Sequence, residues 1–238
     1  MNIFEKEFSL RTGDFTCNHS LLPSAILDLF QTVAGEHANI LGCGFNDLIK
    51  KGLIWVIVKT KYEVITQPPL FSRVRVKTWP LPPSRISFQR EYLIEDESGN
   101  PLVKGTSDWV VVDSVSRKLA SAKEVYPDME FCAEKMFEGR APKIQDFGAT
   151  ENPYVIIPRF SQLDMNNHVN NTKYLNFALD SADISSNEEI SSAQIEFRHE
   201  VLADTELNVY STRTENEIIC KGEDKDKQTK FACKFTLK

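Results

Sequence analysis

Between residues 53 and 113 four strand-like segments follow one another: "LIWVIVKTKYEV", "SRVRVKTW", "ISFQREYLIED" and "LVKGTSDWVVVD". Only short breakers holding "TQPPLF", "LPPSR" and "ESGNP" separate them. Breakers this short leave no room for the crossover that parallel strands require, so the segments predict an antiparallel sheet. The first segment opens as the apolar run 53–58, which predicts burial on both faces. Before it, Leu22, Ile26, Leu29, Phe30, Val33 and Leu41 recur at helical spacing. Ser20 is placed to cap that helix, Pro23 fits its first turn, and Gly42 and Gly44 end it, giving about five turns. Residues 3–10 alternate apolar and polar as an opening strand.

The same order then recurs. In residues 121–150 the alternation stops, and we expect a linker with one short helix over residues 128–137. "YVIIPRF" restarts as a strand and "NNTKYLNFALDSA" as a helix with Tyr174, Leu175, Ala178 and Ala182 on one side. Strands joined by turns, the last at "EDKDK", complete the chain given. "CNHSLLPSAILDLF" can be laid on "NNHVNNTKYLNFAL", pairing Asn18 with Asn167 and His19 with His168. A helix cannot bury a curved antiparallel sheet alone, and two units side by side can. The expected class is therefore α+β: two tandem hotdog units, each a long helix wrapped by an antiparallel sheet. The units are read as residues 1–122 and 151–238, with a linker at 123–150.

Composition narrows the function. At 41% hydrophobic and 26% charged residues, the chain is neither disordered nor membrane-spanning in character. The apolar run 53–58 is far too short to span a bilayer. "MNIFEKEFSL" has neither the basic nor the apolar region of a secretory signal, so a cytoplasmic setting is expected. The five cysteines form no C-x-x-C pair, and His168 has no second histidine or thiol at ligand spacing, so no metal or disulfide framework is signalled. "GCGFND" follows a helix rather than a strand and lacks a third glycine, so no phosphate loop or other cofactor site is read. A net charge of −6 argues against a nucleic-acid partner. Residues 50–90 nevertheless hold nine basic residues against one acid, Glu63. This stretch is either the solvated faces of strands or a docking surface for an acidic partner.

The densest polar cluster is "SQLDMNNHVNNTKYLNFALD". It sets Asp164, Asn166, Asn167, His168, Asn170 and Asn171 at the mouth of the second helix. Asx-rich segments before helices usually form turns and caps, and Asn170 and Asn171 are capping candidates. The set as a whole fits another use. Thioester hydrolysis needs an activated water or carboxylate, a donor for the developing oxyanion and an orienting group. Asp164 and Glu200 can act as base or nucleophile, Asn166 can hold water or carbonyl, and His168 can donate a proton or orient a carboxylate. The helix N-terminus favours negative charge nearby. His19, His37 and His199 lack such company and are read as structural, with Glu36–His37 as the secondary candidate.

"LDMNNHVNNTKYL", with "IEFRHEV" downstream so that Glu200 stands 36 positions after Asp164, resembles the acyl-acyl-carrier-protein thioesterase family. "GTSDWVVVDSVSRKLA" resembles the strand closing that family's first unit. The resemblance implies that Asp164, Asn166, His168 and Glu200 are the active-site residues. It also implies that the first unit holds the acyl tail while the second cleaves the thioester. Plant members carry a cysteine directly after the glutamate. Val201 stands there in this chain, which excludes a cysteine nucleophile at that position. The implied partner is an acidic acyl carrier protein with a phosphopantetheine-linked acyl chain, and assembly as a homodimer is compatible with it. Other activities consistent with the residues are an acyl-CoA thioesterase, a 3-hydroxyacyl dehydratase of the same fold, and a non-catalytic acyl sensor.

Overall fold

The computed structural model describes residues 2–148 and 152–238. It divides into two compact units: Met1–Asp14 with Leu27–Arg140, and Phe15–Ile26 with Ala141–Lys238. The expected linker, 123–150, ends outside the described residues, as does the start of the second expected unit at residue 151.

In the first unit the strands are β1 (Phe4–Ser9), β2 (Leu53–Val64), β3 (Arg73–Pro80), β4 (Phe88–Glu95) and β5 (Pro101–Asp113). They pair antiparallel in the order β1-β3-β4-β5-β2. Helix α1 (Pro23–Ile40) contributes its length from Leu27 onward to this unit. Leu27, Phe30, Val33 and Ala34 on α1 are buried, as their three-and-four spacing requires. Phe30 stacks on Tyr92 of β4 with ring centroids 4.2 Å apart. The helix comes so close here that only glycine fits opposite, at Gly105 of β5. A Cβ there would lie 2.2 Å and 2.5 Å from Phe30 Cε2 and Cζ.

α1 opens at Pro23 rather than being capped by Ser20, whose backbone N–H instead meets Asn18 Oδ1. Gly42, at φ 71°, follows the helix as predicted. The apolar opening of β2 is only partly buried. Its pairing with β5 slips between Ile57 and Lys59, leaving Val58 as an exposed bulge. A short helix α2 (Phe45–Ile49) precedes β2.

Beyond β5, helix α3 (Ala122–Val125) opens at Ser121, whose N–H donates to Glu124 Oε2 at 2.6 Å. The helix expected over residues 128–137 does not form. That segment is instead anchored piecewise: Trp79 Nε1 donates to Glu134 O, and the Met136 N–H donates to Glu91 Oε2. Backbone groups committed to the first unit's side chains are unavailable for helical bonds.

In the second unit β6 (Tyr154–Ile156), β7 (Ile190–Phe197), β8 (Leu207–Arg213), β9 (Glu217–Glu223) and β10 (Thr229–Leu237) pair antiparallel in the order β7-β10-β9-β8-β6. Helix α4 (Lys173–Ser181) buries Tyr174, Leu175, Phe177 and Ala178. It has 9 residues against the 18 of α1, shorter than the long helix expected. Ala182 closes α4, where the segment "NNTKYLNFALDSA" ends; Asp183 then turns to φ 47°, and Glu188 Oε2 accepts from the Ser185 N–H.

Within the basic stretch 50–90, Arg75, Lys77 and Arg90 are engaged within the first unit, while Lys50, Lys51, Arg73 and Arg85 are exposed. Arg90 is buried, hydrogen-bonded to His37 Nδ1 (3.1 Å) and Thr78 Oγ1 (3.2 Å). Arg75 pairs with Glu7, and Lys77 with Glu95 at 2.8 Å. Glu36 and His37 do not form an acid–base pair. Glu36 meets Lys6 at 2.5 Å, whereas His37 is buried and accepts from Arg90. Burial, and then the Arg90 charge, pull His37 down to about 4.

Candidate active site

The segment singled out by its polar density folds as a tight turn in the second unit. Leu163 and Val169 pair across it, and the Asp164 N–H donates to His168 O at 2.7 Å. Asn167 sits at the tip with φ 62°, a left-handed conformation that asparagine tolerates well. Asp164 holds the turn from inside: its Oδ1 accepts from the Asn166 N–H (2.8 Å) and the His168 N–H (3.2 Å). Asn170 is the residue that caps. Its Oδ1 accepts from the Thr172 N–H and Oγ1, both at 3.0 Å, immediately ahead of α4.

A second segment, residues 199–205, is strapped to this turn. The Val169 N–H donates to Val201 O at 2.8 Å, and His168 forms a backbone bridge with Leu202. Val169 and Val201 are buried, so this pairing is protected from water. It brings Glu200 to His168. Nε2 and Oε2 stand 3.6 Å apart, with side chains 29% and 45% exposed. That separation is an ion-pair contact, longer than a hydrogen bond.

Tyr174, which the apolar periodicity assigns only to the core, also belongs here. Burial pushes its hydroxyl well above the ordinary value. A hydrogen bond with the Val201 backbone opposes that rise, and the charges of Asp164 and Glu200 add to it. Its ring lies 5.2 Å from Phe231 and 5.7 Å from Phe197. Tyr174 is thus tied to the strap at Val201 and feels the charge of both carboxylates. Its signal in the sequence was adjacency to the polar cluster. Of the four sequence-predicted residues, His168 and Glu200 meet directly and Asp164 joins them through the turn backbone. Asn166 is fixed by its N–H, with its side chain exposed.

The repeat is visible in backbone geometry, one residue out of the register read from side-chain identity. A 3-10 turn at Thr12–Asp14 precedes a turn in which Phe15 pairs with Leu21. There the Thr16 N–H donates to Ser20 O at 2.8 Å, and His19 has φ 64°. A 3-10 turn at Phe160–Gln162 likewise precedes the site. Thr16, Asn18, His19 and Ser20 therefore correspond to Asp164, Asn166, Asn167 and His168. The strand exits match as well. Ile65 and Thr66 both donate to Leu102 O, as Arg198 and His199 both donate to Lys230 O. Phe71 and Asp204 share φ near 60°. This places Gln67 at the Glu200 position and buried Pro68 at the Val201 position. The N-terminal copies of Asp164, His168 and Glu200 are thus Thr16, Ser20 and Gln67, none of which titrates near neutral pH.

The acyl-ACP thioesterase N-terminal domain matches residues 1–129, and the acyl-ACP thioesterase C-terminal domain matches residues 149–238. The chain belongs to the acyl-ACP thioesterase family. Among curated relatives, a chloroplastic palmitoyl-acyl carrier protein thioesterase of Gossypium hirsutum is 28% identical over 239 residues, covering 91% of this chain and 57% of its own. Oleoyl-acyl carrier protein thioesterase 2 of Arabidopsis thaliana is 26% identical, covering 92% of this chain and 65% of its own. This member of the family thus spans little more than half the length of the first curated relatives it matches. An acyl-ACP thioesterase structure from Bacteroides thetaiotaomicron superposes with a TM-score of 0.88 at 19% identity, covering 100% of this chain and 98% of the other. The 12:0-ACP thioesterase of Umbellularia californica gives 0.84 at 21%, with the same coverage. Both share the double hotdog fold expected of the acyl-ACP thioesterase family.

Proposed function

We propose that the chain hydrolyses the thioester of a fatty acyl group carried on acyl carrier protein, releasing the free acid. The observation that carries the reading is the close approach of His168 and Glu200, held by backbone pairing across the two loops. Membership of the acyl-ACP thioesterase family supplies the substrate class. A carboxylate, Glu200 or Asp164, takes a proton from water as its oxygen attacks the thioester carbon. The C–S bond then breaks, and the phosphopantetheine sulfur leaves as a thiol after protonation, with His168 placed to deliver that proton. Asn166, exposed beside the turn, is assigned to the carbonyl or the attacking water. Val201 is buried at the place of the plant cysteine, so the nucleophile is water or a carboxylate. The division of labour implied by the resemblance, acyl tail on the first unit and chemistry on the second, is part of this proposal.

The test is a panel of acyl-carrier thioesters of increasing chain length, scored for free thiol and for released acid. Glu200→Gln is expected to lower kcat by at least about 100-fold, within the range of a general base. Wild-type turnover in that variant would remove Glu200 from the chemistry. Matched acyl-CoA substrates identify the carrier, and an enoyl product in place of the acid would reassign the reaction to a dehydratase.

A further inference from the structure

Three loops of the second unit are tied into one platform. The 3-10 turn Phe160–Gln162 is held to the site turn by Asn170, whose N–H donates to Gln162 O at 2.9 Å. The site turn is held to residues 199–205 through Val169–Val201 and His168–Leu202. Residues 199–205 return to the first loop through the Asp204 N–H on Pro158 O (3.0 Å) and the ion pair Arg159–Asp204. This platform carries Asp164, His168 and Glu200. It also carries three large apolar side chains that the fold leaves in water: Phe160 at 91% exposure, Met165 at 79% and Leu202 at 51%.

None of the three serves the core. Met165 adjoins Asp164 in the chain, and Leu202 is the backbone partner of His168, so both flank the reacting groups. The internal repeat provides a comparison. At the same backbone positions the N-terminal copy has Thr12, Cys17 and Pro69. That copy is not free of exposed apolar groups, since Leu70 and Phe71 occupy the Ala203 and Asp204 positions. The turns that bear residues 160 and 165 nevertheless gain a large apolar side chain only in the copy that has the ionisable groups. Phenylalanine and methionine are enriched where proteins meet one another, and these side chains stand on the loops that carry the reacting groups.

We propose that Phe160, Met165 and Leu202 form the rim on which the acyl carrier protein seats while its arm presents the thioester to His168 and Glu200. This rests on the thioesterase reading above. A folded carrier must stop outside the site while its prosthetic arm enters, and the loops that bear the reacting residues are where it would stop. The acyl tail is a poorer fit, because it belongs in an apolar slot and not on side chains this exposed. Arg159, on the platform's outer turn, pairs with Asp204, and the apolar side chains are the part of this surface that the proposal assigns to the carrier.

The test compares the wild type with the triple variant Phe160→Ser, Met165→Ser, Leu202→Ser on two substrates bearing one acyl group: the acyl carrier protein and a carrier-free pantetheine thioester. The expected result is a fall of at least about tenfold in kcat/KM on the carrier substrate, as loss of a hot-spot cluster gives. The carrier-free thioester should stay within about twofold, which also reports an intact site. Equal losses on both substrates, or no loss on the carrier, overturn the proposal. So does a change confined to self-association in sedimentation, or to binding of phospholipid vesicles. Affinity for the unacylated holo-carrier is measured alongside. A weakened affinity supports the rim even if no thioester is cleaved, in which case the hydrolase reading fails separately. An unchanged affinity in an active enzyme counts against the rim.

Discussion

Asp164 is assigned two tasks, and a pair of substitutions separates them. Its Oδ1 accepts two backbone N–H groups, from Asn166 at 2.8 Å and His168 at 3.2 Å, and these shape the turn. Its charge is assigned to the chemistry. Hydrogen bonds to a charged acceptor are worth roughly 1.5–3 kcal/mol each, and partial exposure reduces that. Removing both with Asp164→Ala should therefore cost about 2 kcal/mol. For a chain of this size that is a fall of about 4–8 °C in melting temperature. Asp164→Asn retains an Oδ1 acceptor and should cost less than about 1 kcal/mol. Both variants lose the carboxylate, so both should lower kcat by at least about 100-fold. Thermal denaturation and steady-state turnover on one acyl-carrier substrate report the two effects. Wild-type turnover in Asp164→Asn would show that its charge is not used. Equal melting temperatures in the two variants would show that Oδ1 does not hold the turn.

Two further perturbations test the first unit. His37 is held at about 4 by burial and by Arg90, against an unfolded value near 6.5. Below pH 6.5 the unfolded chain takes up the proton first, so this histidine removes stability as pH falls from about 6.5 to about 4, by up to about 3 kcal/mol. His37→Gln should flatten that part of the denaturant-midpoint profile relative to wild type, and parallel profiles would refute the assignment. Gly105→Ala places a methyl group 2.2 Å from Phe30 Cε2, so the ring must shift from its stacked position on Tyr92. The expected destabilisation is about 1–3 kcal/mol, relieved in the double variant with Phe30→Leu. An additive double mutant would mean the ring is not the obstacle.

The long strands and α1 were legible because their signals are local: alternation, breakers and helical spacing. β2 matches its sequence reading residue for residue, yet its predicted double burial failed. A bulge at Val58 depends on register with β5, and nothing in the segment itself records that. The missing helix over residues 128–137 has the same origin: Glu91 holds that segment through the Met136 N–H, a bond that periodicity does not see. The repeat was recognised but displaced by one position, because matching Asn-His pairs outweighed the turn geometry that aligns Ser20 with His168. The meeting of Glu200 with His168 depends on a bridge between segments more than thirty residues apart. Composition and spacing make the residues suitable, and only family resemblance pairs them. Tyr174 was assigned to the core correctly, but its hydroxyl reaches Val201, another non-local partner.

The two turns also bear on how such a chain can change. In a dimer of identical protomers one gene writes both copies, so a residue altered for catalysis is altered twice. Here the same backbone bend is encoded at two separate places. Thr16 and Ser20 hold the N-terminal bend together with neutral groups, which leaves Asp164 and His168 free to specialise without a duplicate charge to accommodate. Mutational variation at one bend need not be mirrored at the other, and tolerance to substitution should differ sharply between them.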